Sequence, residues 1–444
     1  MQAQTFVPAA AAMKVGRACG AAVPRVAVPY DAASFSPLQI AEAADGRCEL
    51  VWVITRPLAE LGSMGRLLTR LGRVVAVDGE DAEAAEAAAS TLAEHAPVGI
   101  VTFSHDQLVF SAALAEQLGL AFNDRAAILN CVDKLAQRRA MAAAGLDMPA
   151  VFELTLDGRA RPDLARLADF PFPAVLKPRA GHGSLETFFA SDAKELIQLV
   201  EHGGADGAPV GAGEYVLEQF LDGTLGGYGA VCGQVADYVS VESAVFAGEC
   251  RHLAVTGKFP LSEPFRETGN FMPSLLQGDA RAEVEALATR ALQALGVRFG
   301  IMHTEIKLTP AGPRVIEVNP RVGGGSISEL FEFRTGRSLM HLALGIALGE
   351  APAVAELVDA GIAYSLYLQP PPWARHLEAL EGLTEVSAIP GVRQVALNRQ
   401  PPHPVDWRSG SQGYVATVRG IAASHEQLLA NRVAILERLR PLYA

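Results

Sequence analysis

A chain of 444 residues is too long for one ordinary hydrophobic core, so several domains or lobes are expected. Half of the residues are hydrophobic and 19% are charged, and the formal net charge of −12 argues against nucleic acid as the main partner, because phosphate backbones demand basic surfaces. No apolar run reaches the length of a membrane span, and the five dispersed cysteines contain no Cys-x-x-Cys, which fits a reduced, cytoplasmic protein with no membrane partner.

Residues 1–22 are alanine-rich but lack a basic start followed by an unbroken apolar core. They read as a disordered tail rather than a signal peptide, with Met13 as an alternative start. Strands are then predicted at Arg25–Val28, Leu50–Thr55, Arg73–Asp78 and Pro97–Phe103, with helices at Pro37–Ala44, Leu58–Arg70 and Glu80–His95 between them. Strand–helix alternation makes a parallel α/β sheet, so residues 23–130 form a first domain. No Gly-x-Gly-x-x-Gly follows the first strand, which argues against a dinucleotide site. Ser104-His105-Asp106 falls at a strand's C-terminal end, where open sheets bind ligands, although a helix cap has the same composition.

Asp133 is the expected N-cap of a helix running to Ala144, with Gly145 and Pro149 beyond it. Lys134, at its start, is by itself an ordinary surface lysine. Phe172–Pro178 is a strand that ends at Lys177 and runs into Arg179-Ala180-Gly181-His182-Gly183-Ser184. An ammonium charge followed by approachable backbone N–H groups suits phosphate, with Ser184 as a further donor, yet the Walker pattern is absent. His182 reads as a loop residue. Glu214–Asp222 is another strand, carrying Glu218, Phe220 and Asp222. Gly229–Phe246 reads as two antiparallel strands and Thr256–Pro273 as a long loop. Lys258, Arg266 and Glu267 in that loop are candidate substrate contacts, although a charge-rich loop is often only solvated. Asp279 is expected to cap a helix that ends at Gly296.

Gly300–Ile327 contains two apolar runs around Pro310-Ala311-Gly312-Pro313, the mark of a β-hairpin. Strand residues alternate faces, so a turn centred near Ala311 sets Glu305 opposite Glu317, with Asn319 on the same face and Arg321 just beyond. Paired carboxylates repel unless a cation sits between them, and carboxylate and amide oxygens suit a hard ion such as Mg²⁺. Gly323-Gly324-Gly325 would let backbone come close to a ligand, and Glu329 on the following helix could meet an amine. Past residue 351, strands are expected at Ile362–Leu368, Val392–Leu397 and Gly413–Val418 and a helix at Ser424–Leu439, with no catalytic residue identified.

The order Lys134, Lys177, Glu218, Glu305, Glu317, Asn319, Arg321 resembles the ATP-grasp superfamily, and the resemblance spans roughly residues 23–440. It implies an α/β fold with a parallel N-terminal domain (23–130), an ATP-grasp domain with antiparallel catalytic sheet (131–350, its α+β lid about 150–222) and a small C-terminal domain (351–444). It further implies ATP held by Lys134, Lys177, Ser184, Glu218, Phe220 and Asp222, and Mg²⁺, with Mn²⁺ as a substitute, held by Glu305, Glu317 and Asn319. Lys258, Arg266 and Arg321 become the catalytic set, and Glu267, His303, Gly324, Gly325 and Glu329 the substrate set. Leu225 and Gly226-Gly227 stand where family members often carry an acid for the ribose. Within the superfamily the loop at 256–273 looks most like that of the L-amino-acid ligases. The implied activity is an ATP-dependent carboxylate–amine ligase, a homodimer by family habit, that joins two small amino-acid-like substrates through an acyl phosphate. The alternatives are a ligase for a carrier-bound, amino-sugar or purine-precursor amine, and a nucleotide-binding regulator without catalysis.

Overall fold

Four parallel strands, Arg25–Pro29, Glu49–Ile54, Arg73–Ala76 and Gly99–Ile100, build the N-terminal sheet, with the first strand between the second and the fourth. The structure, a computed structural model, describes residues 23–31, 35–156, 167, 169–202, 210–223, 233–353 and 361–444. The expected tail at 1–22, the segment at Leu225 to Gly227 and the first strand expected after Gly229 lie outside the described residues. The first two of these strands are near-continuous runs of buried residues because both faces are covered. Ala84, Ala85 and Ala88 of the helix Ala82–Ala93 pack on one face with Val51 and Val53. On the other face Val26, Val28 and Trp52 share a core with Leu330, Phe331 and Leu339 from helices after the hairpin. The fourth strand is shorter than expected, two residues rather than Pro97–Phe103. After it the chain turns to place Ser104–Asp106, with Thr102 Oγ1 donating to the Pro29 carbonyl at 2.9 Å.

The lid is a four-stranded antiparallel sheet, Val151–Leu156, Gly213–Gln219, Ala174–Pro178 and Phe188–Ala190 in spatial order, with its own core around Leu176, Leu196 and Leu217. The central sheet has eight antiparallel strands. Across it run Gly312–Asn319, Gly300–Thr309, Tyr238–Phe246, Glu249–Lys258, Gly269–Met272, Ile362–Leu368, Ala416–Ala422 and Val392–Leu397. The strands after residue 350 therefore extend the sheet that carries the hairpin. No helix among the described residues is long and apolar enough to cross a membrane.

Two expectations are corrected. The segment Thr256–Pro273 is a loop only in its middle, because Glu249–Lys258 and Gly269–Met272 are paired strands. Gly257 sits in that pairing because the Phe271 ring fills the space a Cβ would need. The helix Gly278–Leu295 has Gln277 at its N-cap position, with no side-chain capping bond, and Asp279 lies in its first turn. There its carboxylate favours the positive end of the helix.

Candidate active site

A cavity of about 760 Å³ opens between the lid, the central sheet and the C-terminal segment. Its floor is the hairpin Gly300–Thr309/Gly312–Asn319, and Glu305 pairs with Glu317 across the ladder as the sequence register requires. Ile306 then pairs with Val315, so Ile316 is the extra residue of a bulge. The bulge frees the Ile316 carbonyl to accept from Arg138 and lets the Ile316 side chain line the cavity instead of alternating away from it. Asn319 is buried, and its Oδ1 has no hydrogen-bond partner.

Lys134 and Lys177 reach this floor from above. Asp133 caps the helix Lys134–Ala143 by accepting from the Leu135 and Ala136 N–H groups, as expected, and Arg179 pairs with the same carboxylate at 2.7 Å. Lys134 Nζ donates to the Gly181 carbonyl at 2.7 Å and lies 3.6 Å from Glu317. Lys177 Nζ lies 2.7 Å from Glu218, and Arg138 Nε lies 2.9 Å from the other oxygen of that carboxylate. Burial opposes ionisation of Glu218, yet Arg138 and Lys177 outweigh it and hold the carboxyl down at about 2. Glu317 behaves alike, held down at about 2 against its burial by Lys134 and Lys177. Two cations share Glu218, which leaves an excess of positive charge beneath the glycine loop, where an anion would be welcome.

That loop holds Gly181, Gly183, Ser184 and Glu186 at positive φ, and Ser184 lines the cavity. Phe220 forms an apolar wall, edge-on to Phe189 at 5.3 Å, with Lys307 Nζ 5.4 Å from its ring.

A second charged group faces the hairpin from strands Tyr238–Phe246 and Glu249–Lys258. Buried Lys258 pairs with Glu267 at 2.8 Å and stands 3.9 Å from Glu305. His303 donates through Nδ1 to Glu242 at 3.0 Å, and its Nε2 is 3.4 Å from Glu305. Burial would keep His303 neutral, but Glu242 raises it to about 9. Arg321, Gly324 and Gly325 line the cavity beside Glu267, and the Gly325 carbonyl accepts from Asn270 Nδ2 at 2.8 Å and from the Tyr367 hydroxyl.

Three expected site residues lie elsewhere. Asp222 is exposed and does not line the cavity. Arg266 is buried outside it, where its guanidinium donates to the carbonyls of Glu263 and Pro370 and braces the loop. Glu329 turns toward the N-terminal sheet and accepts from Gln39 Nε2 at 3.3 Å. Several residues that line or brace the site were not expected. Arg138 looks in sequence like a solvated helix charge. Glu242 carried a signal, being one acid inside an apolar strand, which must find partners. Trp407, Arg408, Ser411 and Gln412 line the cavity from the C-terminal segment, which therefore contributes to the site.

Paired acids on a hairpin, lysines under a glycine loop and an antiparallel lid define the ATP-grasp architecture. Residues 131–325 match the family model of the ATP-grasp domain. Among relatives, the uncharacterized protein y4rH of Sinorhizobium fredii is 27% identical over 325 residues, covering 71% of this chain and 62% of that protein. Carnosine synthase 1 of Gallus gallus is 32% identical over 193 residues, 41% of this chain and 20% of its own. The chain thus spans less than two thirds of the length of these curated relatives. An L-amino acid ligase from Bacillus licheniformis shares the fold, with a TM-score of 0.72 over 95% of this chain and 99% of that one, at 24% identity.

Proposed function

We propose that this chain is an ATP-dependent carboxylate–amine ligase that forms an amide between two amino-acid-like substrates and releases ADP and phosphate. The reading rests above all on one observation: Glu305, Glu317 and the unpartnered Asn319 Oδ1 share one floor between two groups of cations. Among the described residues no three His, Cys, Asp or Glu side chains form a metal cluster, so a divalent ion would need the Asn319 amide as well as both carboxylates. A buried, unpaired amide oxygen beside two carboxylates held ionised fits Mg²⁺, or Mn²⁺ in its place. Bound there, the ion would neutralise charge developing on the transferred phosphoryl group.

The chain's own residues supply the rest. Lys134, Lys177 and Ser184 would hold the nucleotide phosphates, with Phe220 and Ile316 walling the base. A carboxylate is a poor acyl donor because its leaving group would be oxide, and its phosphorylation gives an acyl phosphate with a good one. Glu267, kept in place by Lys258, would hold the ammonium group of one substrate, and Arg321 would stabilise the oxyanion formed when the second amine attacks. The Gly324 and Gly325 backbone would admit the substrate close to Arg321. His303 stays protonated between Glu242 and Glu305 and so orients Glu305 rather than taking a proton. The names of the relatives, a carnosine synthase and an L-amino acid ligase, favour amino acids as substrates. We further propose the division into 23–130, 131–350 and 351–444, a cytoplasmic setting and a homodimer.

The test is a matrix of amino-acid pairs with Mg-ATP, followed by phosphate release and product mass. A pair that yields ADP, phosphate and a condensed product is the expected result. Mg-ATP binding with no turnover on any pair would move the acceptor outside the amino acids, and no binding would refute the site.

A further inference from the structure

The glycine loop over the lysines is gripped on both sides by residues that do not belong to the lid. On one side the His182 ring lies 5.1 Å from the His105 ring, and its Nε2 is 3.7 Å from Asp106. His105 and Asp106 come from the turn after the last strand of the N-terminal sheet. On the other side the segment Trp407–Gly413 reaches across from the C-terminal part. The Ser411 N–H donates to the Gly183 carbonyl at 2.9 Å. Gly410 has φ of 63°, and a Cβ there would run into the Gly183 carbonyl and stand 3.2 Å from Leu185. Trp407 is buried in the lid's own core, edge-on to Phe188 at 6.3 Å.

Ser411 does not stop at the loop. Its Oγ accepts the Glu267 N–H at 3.0 Å. Its carbonyl accepts from Gln369 Nε2 at 2.9 Å, and the same amide donates to the Glu267 carbonyl at 2.7 Å. One residue therefore joins the phosphate side of the cavity to the backbone that carries Glu267. The loop also needs external support, because Ser184 and Glu186 hold left-handed backbone at φ of 56° and 46°. Such conformations persist in non-glycine residues only where surroundings impose them.

We propose that His105–Asp106 and Trp407–Ser411 form a two-sided clasp on the phosphate loop, and that Ser411 is a positioning residue linking closure of that loop to seating of the Glu267 loop. This rests on the ligase reading for its purpose: the cavity is sealed against water only when the substrate side is in place, so an acyl phosphate meets the amine before it meets water. The clasp itself is a statement about structure and can fail separately.

The test is hydrogen–deuterium exchange on the full chain, with and without Mg²⁺ and a non-hydrolysable ATP analogue, alongside ADP and amide yields. Gly410→Ala places a methyl group against the Gly183 carbonyl, and exchange in 179–188 should rise at least ~5-fold over wild type. Ser411→Ala keeps the N–H but loses the Oγ. It should raise exchange in 264–270, leave 179–188 protected, and increase ADP released per amide at least ~3-fold. If Gly410→Ala does not fold, His182→Ala, which removes the ring that meets His105 and Asp106, should expose 179–188 by the same ~5-fold. Wild-type exchange in 179–188 for Gly410→Ala, or for His182→Ala where Gly410→Ala does not fold, overturns the clasp. Wild-type exchange in 264–270 with a wild-type ADP-to-amide ratio in Ser411→Ala overturns the link. A wild-type chain that turns over no ATP refutes the ligase reading, while the exchange differences still decide the clasp.

Discussion

Replacing Glu218 by Gln gives the sharpest test of the electrostatics. The carboxylate lies 2.9 Å from Arg138 Nε and 2.7 Å from Lys177 Nζ and is 5% exposed, so its loss strands two buried cations. Removing one partner of a buried ion pair costs about 3–5 kcal/mol. The titration gives a second route to the magnitude. A carboxyl at about 2 in the fold against an ordinary 4.5 is worth about 3 kcal/mol, at 1.4 kcal/mol per unit. The folded value lies below the unfolded one, so this stability is fully present above about pH 4.5 and is lost as pH falls toward 2. Urea unfolding of the ligand-free chain should show Glu218→Gln about 3–4 kcal/mol less stable at pH 7 and pH 5, with the gap narrowing below about pH 4.5. A loss under about 1 kcal/mol at pH 7, or a gap that widens with acid, would refute the account.

Glu317→Gln should still fold, at a cost of up to about 3 kcal/mol because its carboxyl is held down at about 2 like that of Glu218, and should lower ADP formation at least ~100-fold, a loss of about 3 kcal/mol in transition-state stabilisation. A variant within ~10-fold of wild type in a phosphate-release assay would remove Glu317 from the metal set. Arg266→Ala should cost about 2–3 kcal/mol of stability through its carbonyl bonds while KM for ATP stays within ~3-fold, and a large KM change would return Arg266 to the site. Gly257→Val should destabilise by at least ~1–3 kcal/mol by driving into the Phe271 ring, read from the urea midpoint, and a neutral result would contradict the strand pairing at 257 and 271.

The hairpin was legible because a period of two and a proline–glycine turn set its register, and Glu305 does pair with Glu317. The bulge at Ile316 was not legible. It is set by the helix Lys134–Ala143, from which Gln137 Oε1 accepts the Val318 N–H at 2.9 Å and Arg138 donates to the Ile316 carbonyl. The N-terminal alternation of strands and helices could be read directly, since apolar runs covered on both faces need no distant partner to be recognised. Strand Glu249–Lys258 escaped because its first half is polar and its end was absorbed into a loop rich in proline and charge. Asp222 is expected from the resemblance, Arg266 from a charge-rich loop and Glu329 from its place on the helix after the glycine run, and none of the three side chains lines the cavity. Trp407 and Ser411 could not be found at all, because their meaning depends on contact with a loop more than two hundred residues earlier.

The eight-stranded sheet also bears on how the chain can be cut. The family-matched segment ends at Gly325, yet Gly269–Met272 within it takes its outer partner, Ile362–Leu368, from beyond that point. A fragment of residues 131–325 would present Gly269–Met272 as a bare edge, ready to pair with another copy. It would also uncover Ala254, Met272 and Ile301, whose core partners Leu330, Phe331, Leu339 and the N-terminal sheet all lie outside that fragment. The segment recognisable by ancestry is therefore smaller than the segment able to stand in water, and excision for expression or grafting should keep both the N-terminal sheet and the last strands.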